Sequence, residues 1–217
     1  MKAFCSWSGG KESCLALYRT QENFEVAFLL NMISENGIYS RSHGIDVNLL
    51  KLQAETIGIE IIQPKSSWES YEAVFKKTVY YLKNKGVNTG IFGDIDLQEH
   101  RDWSERVCKE TGIKPLLPLW KEKREILLNE FISRGFKAII VCTNAKFLDK
   151  KWLGREINKE FTKDIKNLSN VDLCGENGEY HTFVYDGPIF KKPVKFITGE
   201  KKLINRNWFL ELKLKRS

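Results

Sequence analysis

The sequence lacks the features that mark secreted, membrane-spanning and metal-cluster proteins. Its five cysteines among 217 residues are odd in number, widely scattered and never spaced as C-x-x-C, which argues against a disulfide framework and against a zinc or iron–sulfur site. No apolar run approaches the roughly 20 residues of a membrane span, and the N-terminus lacks the basic and then apolar layout of a signal peptide. We therefore expect a cytoplasmic protein with reduced cysteines and no membrane partner.

The excess of positive over negative charge lies at the C-terminal end of the chain. Lysine and arginine outnumber aspartate and glutamate by 35 to 28, but residues 1–190 hold 26 of each sign. Residues 191–217 hold nine basic and two acidic side chains. Such a basic tail can hold an acidic macromolecule through the release of counterions, although a merely solvated basic end is the alternative.

Hydrophobic periodicity predicts an α/β fold. After a first strand and helix, the apolar run at residues 25–33 is typical of a strand buried on both faces of a parallel sheet. Four helix–glycine–strand units follow, and their helices are expected to end at Gly58, Gly86, Gly112 and Gly135. This repetition predicts a doubly wound, mostly parallel sheet of Rossmann-like type with right-handed crossovers.

The composition changes after residue 152 to a charged helical stretch, turns and short β-like runs. We therefore predict a smaller C-terminal α+β portion, with the boundary near Pro115 and Pro118. This places a nucleotide-binding domain at residues 1–120 and a second portion at residues 121–217.

A glycine turn follows the first apolar run. It consists of Ser8, Gly9, Gly10, Lys11, Glu12 and Ser13. A strand, a glycine turn and a helix start place backbone N–H groups and the positive end of a helix around one point, which predicts a phosphate site. The turn matches neither G-x-G-x-x-G nor G-x-x-x-x-G-K-[ST], and a solvent-exposed turn is the alternative.

Ligands of doubly wound sheets bind at the carboxyl ends of the strands. This rule predicts one continuous rim made of residues 8–13, 31–33, 93–95 and 142–144. Within it, Asn31, Met32 and Gly93 are candidate nucleotide-binding residues.

A second polar group begins where the fourth predicted strand ends. Asp94 is a candidate Mg²⁺ ligand through its oxygens, and Arg101 is a candidate clamp for a phosphate or carboxylate. The alternative is a helix N-terminus that carries acidic residues because the helix dipole favours them.

A third group lies at residues 172–183, where two glycines stand among acidic, amide and imidazole side chains. Tight glycine turns would bring Glu176, Asn177, Glu179 and His181 close together. Two carboxylates and one histidine fall short of the ligand sets that zinc prefers. A surface turn between strands is the alternative.

Together these motifs resemble the diphthine–ammonia ligase family, the ATP-binding domain 4 group of the PP-loop (adenine nucleotide alpha hydrolase-like) superfamily. The resemblance rests on residues 8–13, 93–94 with 99–101, 118–120, 153–155 and 175–183. It implies cleavage of ATP to AMP and pyrophosphate with Mg²⁺, and amidation by ammonia of the diphthine carboxylate on elongation factor 2. The catalytic candidates are then Lys11, Asp94, Glu176, Glu179 and His181, and the acceptor would bind in the second portion.

The sequence departs from the family pattern at two places, of which the first should be tolerated and the second leaves the acceptor open. Residue 12 is Glu where the loop usually has Asp, and the helix start at residues 99–103 resembles a branch that also occurs in bacteria, which do not make diphthamide. The remaining alternatives are a PP-loop enzyme that modifies tRNA, another carboxylate-adenylating enzyme, and a non-catalytic ATP-binding sensor. A homodimer is a further possibility.

Overall fold

The computed structural model describes residues 1–41 and 43–215. Its first sheet has five parallel strands in the order β3-β2-β1-β4-β5. The elements of this region are β1 (Lys2–Ser6), α1 (Lys11–Thr20), β2 (Glu25–Leu30), α2 (Val47–Ile57), β3 (Glu60–Ile62), α3 (Tyr71–Asn84), β4 (Thr89–Ile91), α4 (Gln98–Thr111) and β5 (Lys114–Leu116). The predicted doubly wound parallel sheet is confirmed.

The helix boundaries follow local signals. Asp46 caps α2 by accepting a hydrogen bond from the backbone N–H of Asn48 at 2.7 Å. Gly58 and Gly112 end α2 and α4 with φ angles of 89° and 70°, a left-handed conformation that favours glycine.

The second sheet has four antiparallel strands in the order β7-β6-β9-β8. The elements of this region are α5 (Arg124–Ser133), β6 (Lys137–Asn144), α6 (Lys159–Lys166), β7 (Tyr180–Asp186), β8 (Phe196–Ile204) and β9 (Asn207–Leu214). The predicted smaller α+β portion is therefore confirmed.

One part of the predicted rim is wrong. Strand β6, which belongs to the fourth helix–glycine–strand unit, pairs with β7 and β9 and not with the parallel sheet. Residues 142–144 therefore do not continue the rim of the parallel strands. Because β6 is buried from Ala138 to Thr143, its sequence is the same near-continuous apolar run that a central parallel strand would show.

The two sheets share one apolar core. Side chains of β1 and α1, such as Cys5 and Leu17, pack in the same cluster as Ile140 of β6 and Phe183 of β7. A second cluster lies under α3 and α4 and contains Phe75. Because the shared core joins the sheets, β7 is held against the end of β1.

All five cysteines are free and buried, as expected for reduced core residues. None of the helices within residues 1–41 and 43–215 is long and apolar enough to cross a membrane.

Candidate functional site

A cavity of about 570 Å³ opens at the carboxyl ends of β1, β2 and β4. The segment before β7 and the first residues of β7 form its other wall. Ten of the predicted site residues line it, namely Ser8, Lys11, Glu12, Ser13, Asn31, Met32, Gly93, Asp94, Glu176 and His181. The structure thus brings three separate sequence motifs together around one space.

The glycine turn between β1 and α1 is held in a tight conformation. Gly9 has a φ of 78°, and a Cβ at this position would stand 2.3 Å from Leu50 Cδ2. The Gly10 N–H donates to Ser8 Oγ at 3.2 Å, and the Ser13 hydroxyl donates to the Gly10 carbonyl at 3.0 Å. Any side chain at residue 9 would clash with α2, so this position requires glycine.

Gly93 allows the end of β4 to approach the same turn. A Cβ on Gly93 would lie 3.0 Å from the backbone carbon of Glu12 and 3.1 Å from the backbone nitrogen of Ser13. The absence of a side chain at residue 93 therefore brings Asp94 beside the start of α1.

Strand β7 closes over the turn with hydrogen bonds that the sequence did not reveal. The Lys11 N–H donates to Thr182 Oγ1 at 3.1 Å, and the Val184 N–H donates to the Gly9 carbonyl at 3.0 Å. The Gln53 amide donates to the carbonyls of both Gly9 and Val184. The C-terminal sheet thus helps to hold the glycine turn in place.

Lys11 is a buried cation with three kinds of partner. Its Nζ lies 2.5 Å from Glu12 Oε1, donates to the Cys174 carbonyl and stands 4.7 Å from the centre of the Tyr180 ring. Burial, the largest single effect, would lower the pKa of Lys11, but the Glu12 carboxylate together with Tyr180 and Cys174 outweighs it and holds the pKa above its usual value. Lys11 is therefore charged at neutral pH and can face an anion.

Glu176 stands in an excess of negative charge. Burial raises its pKa to about 8, and the nearby carboxylates of Glu12, Asp94 and Asp172 act in the same direction against the opposing charge of Lys11. The described residues contain no group of three or more His, Cys, Asp or Glu side chains arranged as a metal site. Mg²⁺ commonly takes only one or two carboxylates together with substrate phosphates, so Asp94 and its acidic neighbours fit such an ion.

Two carboxylates that do not line the cavity shape the segment that carries Glu176. Asp172 accepts from the N–H groups of Cys174 and Glu176, at 2.8 and 3.1 Å. Glu179, of which 2% is exposed, accepts from the N–H groups of Asp172 and Asn177, both at 3.0 Å. Since its oxygens are turned to the backbone, Glu179 positions the segment.

Arg124 ties this segment to the parallel sheet. Its guanidinium pairs with Asp96, after β4, at 2.7 Å and also with Asp172. No local pattern indicates this bridge, because Asp96 and Asp172 lie 28 and 48 residues from Arg124.

Two polar residues at the start of α4, one of them the predicted Arg101, have different surroundings. His100, at the start of the helix, lies 3.2 Å from Asp94, and this hydrogen bond raises the pKa of His100. Arg101 pairs with Glu105 at 2.6 Å and does not line the cavity. A Mg²⁺ ion on Asp94 would therefore compete with His100.

Sequence reasoning missed several residues of the cavity wall. Two aromatic side chains, Trp68 and Tyr71, stack with ring centres 6.1 Å apart. A third missed residue is His43, which lies between β2 and α2 and is 9% exposed. The chain has only three histidines, and this scarcity was the one available signal for His43.

Comparison with known proteins identifies two family models in this chain. The model for the diphthamide synthase N-terminal domain matches residues 1–115, and the model for the diphthamide synthase C-terminal domain matches residues 123–217. Together the two models account for both sheets.

Relatives named diphthine–ammonia ligase align over most of the chain. The protein of Rattus norvegicus is 30% identical over 218 residues, which cover 89% of this chain and 82% of that protein. The protein of Schizosaccharomyces pombe is also 30% identical, over 95% of this chain but only 38% of its own length. This chain thus spans well under half of the S. pombe protein.

A solved structure described as a predicted subunit of tRNA methyltransferase from Methanocaldococcus jannaschii superposes with a TM-score of 0.44 and 14% identity. The superposition covers 65% of this chain and 80% of that one, and a likeness of this size carries no functional conclusion. The family models and the aligned relatives, in contrast, show that the chain belongs to the diphthamide synthase family.

Proposed function

We propose that the protein is an ATP-dependent ligase that joins ammonia to the carboxylate of diphthine on elongation factor 2, with AMP and pyrophosphate as products. The family and the names of the relatives support this proposal. The observation that carries it is one cavity that joins a charged lysine in a glycine turn to Asp94, after β4, and to Glu176, in the segment before β7. An adenylating ligase needs this combination, because a pyrophosphate must leave next to a carboxyl substrate.

In this mechanism the acceptor carboxylate attacks the α phosphate of ATP. The bond between the α and β phosphates breaks, and negative charge grows on the departing pyrophosphate. Lys11 would stabilise this charge together with the N-terminal end of α1. Mg²⁺, when bound at Asp94, would neutralise phosphate charge. Ammonia then attacks the acyl carbon, and AMP leaves.

We assign the two substrates to different parts of the chain. Residues 1–120 would bind ATP through Ser8–Ser13, with Asn31, Met32 and Gly93 at the edge of the nucleotide site. Residues 121–217 would bind the acceptor, with Glu176 and His181 facing it. Glu179 would act through the segment that it holds, and Arg101 would contact a phosphate only after it leaves Glu105.

The basic tail at residues 191–217 supports the proposal that the partner is a large molecule with an acidic surface. Elongation factor 2 is a folded protein, and a basic surface can steer association with acidic patches on it. The tail equally suits tRNA or a second copy of the chain with an acidic face, and the assay includes tRNA as an outcome.

The test mixes the protein with ATP, Mg²⁺, ammonium and elongation factor 2 that carries diphthine, and follows the factor by mass spectrometry. Conversion of the carboxylate to the amide, with one AMP per amide, is the expected result. AMP formation with tRNA or small carboxylates, while the mass of the factor stays fixed, would reject diphthine as the acceptor. Formation of ADP and phosphate would reject the adenylate mechanism.

A further inference from the structure

Aromatic side chains form one wall of the cavity, around the starts of α3 and α4. They are Trp68, Tyr71, Phe92 and Trp103. Trp68 is 69% exposed although it is one of the largest apolar side chains. A single exposed aromatic needs no explanation, but a group of them lining a cavity marks a binding surface. The functions assigned above to the cavity leave this wall without a role.

The rings of this wall are held at angles to one another. Tyr71 and Trp103 have ring centres 5.9 Å apart and planes inclined by 51°. The Trp103 side-chain N–H donates to Glu72 Oε2 at 3.0 Å, which fixes the orientation of the indole. Trp68 lies against the other side of the group, with its plane inclined by 27° to that of Tyr71. Inclined rings do not offer one flat surface, so a rounded group can contact several of them at once.

Carboxylates stand beside the aromatic wall. Asp94 and Glu176 line the same cavity. Burial and, after it, the Asp94 carboxylate raise the pKa of Tyr71 to about 12, so Asp94 lies close to this ring. The lysine of the cavity, Lys11, is already paired with Glu12. Aromatic faces and carboxylates in one place attract a cation.

Two side chains of the protein already use parts of this wall. The Arg41 guanidinium stands 4.6 Å from the centre of the Trp68 ring, which shows that this ring accepts a cation, but Arg41 does not line the cavity. His100 lies 3.2 Å from Asp94 and shares its carboxylate. The rings therefore supply the larger part of the attraction for a cation inside the cavity.

The chemistry of the wall selects one kind of cation. Ammonium and guanidinium groups need hydrogen-bond acceptors when they leave water, and an aromatic face supplies none of ordinary strength. A quaternary ammonium group has no N–H to satisfy and binds well to aromatic faces. Diphthine, the acceptor of the proposed function, carries a trimethylammonium group beside the carboxylate that reacts.

We propose that Trp68, Tyr71 and Trp103 bind the trimethylammonium group of the acceptor and so determine its specificity. This inference rests on the proposed function. It adds a contact from residues 1–120 to an acceptor whose carboxylate faces Glu176 and His181 from the other wall. The trimethylammonium group takes no part in bond making, so the three rings act on binding and not on the chemical step.

The first test separates the acceptor from ATP in the full chain. Trp68→Leu removes the ring and keeps an apolar side chain, whereas Trp68→Phe keeps a smaller ring. We expect Trp68→Leu to raise the KM for diphthine-bearing elongation factor 2 about tenfold, while the KM for ATP stays within about threefold, and Trp68→Phe to recover part of the loss. Tyr81→Leu, at an exposed aromatic of α3 outside the cavity, is the matched control. An unchanged KM for the factor, or an equal rise in the KM for ATP that would assign the rings to the adenine base, would overturn the proposal.

A binding measurement distinguishes failure of the aromatic site from failure of the proposed function. Choline is titrated into the protein, and the indole N–H NMR signal of Trp103 is followed. The control ligand is the neutral analogue of choline with a tert-butyl group in place of the trimethylammonium group. We expect a saturable shift with choline, binding about tenfold weaker for the neutral analogue, and loss of the shift in Trp68→Leu but not in Tyr81→Leu. Such binding without amide formation on elongation factor 2 would retain the site and reject diphthine as the acceptor. Equal binding of the two ligands, or no shift with choline, would reject the site.

Discussion

The two edges of the C-terminal sheet differ sharply in their surroundings. β7, at one edge, is buried at four of its seven positions and closes over the glycine turn. β8, at the other edge, is exposed at eight of its nine positions. The same sheet therefore has a buried edge, β7, which completes the cavity, and an exposed edge, β8, which carries much of the basic tail. The predictions below test whether chemistry depends on the first edge and partner encounter on the second.

The largest effect is expected where the buried edge, β7, contacts the glycine turn. Lys11→Ala removes the cation that faces the cavity, and one lost electrostatic donor commonly costs roughly 3–4 kcal/mol of transition-state stabilisation. AMP formation should fall by about a hundredfold or more, measured by pyrophosphate release. Lys51→Ala, on the exposed face of α2, is the matched control. Activity within a few-fold of wild type in Lys11→Ala would refute this role.

Next in size is the Arg124 bridge, which holds the Glu176 segment to the parallel sheet. Arg124→Ala leaves the Asp172 carboxylate, whose side chain is 6% exposed, without its cation. Breaking such a pair from one side is strongly destabilising, and we expect a loss of about 3 kcal/mol of unfolding free energy in urea. Arg124→Lys keeps the charge but not the fork, so an intermediate loss is expected. Equal stability of all three proteins would show that the bridge is not needed.

The charge balance inside the cavity gives a pH-dependent prediction. Folding raises the pKa of Glu176 from 4.5 to about 8, so its stabilising contribution is complete below pH 4.5 and is lost as the pH rises towards 8. Glu176→Gln removes this loss. Without nucleotide, the variant should exceed wild type by about 4 kcal/mol at pH 8 and match it near pH 4.5. A constant difference across this range would contradict the raised pKa.

The smallest effect is expected at the exposed edge, β8. Replacing Lys195, Lys202 and Lys213 with Gln removes exposed positive charge around β8 and β9. The KM for elongation factor 2 should rise about threefold to tenfold and depend less on salt, with kcat unchanged, because surface charge acts on encounter more than on chemistry. Lys77→Gln with Lys109→Gln, on α3 and α4, is the control. A fall in kcat without a change in KM would place the tail in the reaction itself.

Removal of the tail would not make this distinction. β9 pairs with β6 from Asn207 to Phe209, and Leu210 lies in the shared core. Truncation after Pro193 would therefore delete two of the four strands of the sheet. Charge substitution is the sharper experiment because it leaves the sheet intact.

The sequence alone determined the parallel sheet and much of the cavity. Apolar runs, helix stops such as Gly58 and Gly112, and the turn at residues 8–13 are local signals, since each depends on neighbouring backbone conformation. The rule that ligands bind at the carboxyl ends of parallel strands then brought Lys11 and Asp94 together. The glycine turns at residues 172–183 indicated Glu176 and His181, and the family resemblance assigned them to the same site.

Only the tertiary structure decided how the second sheet completes the site. An apolar run such as β6 is compatible with parallel or antiparallel neighbours, so its pairing could not be read from its residues. The stacking of His43 on His181, 138 residues further along the chain, depends on the core that presses β7 against the turn. Contacts across such distances are set by the packing of whole elements, and no local pattern records them.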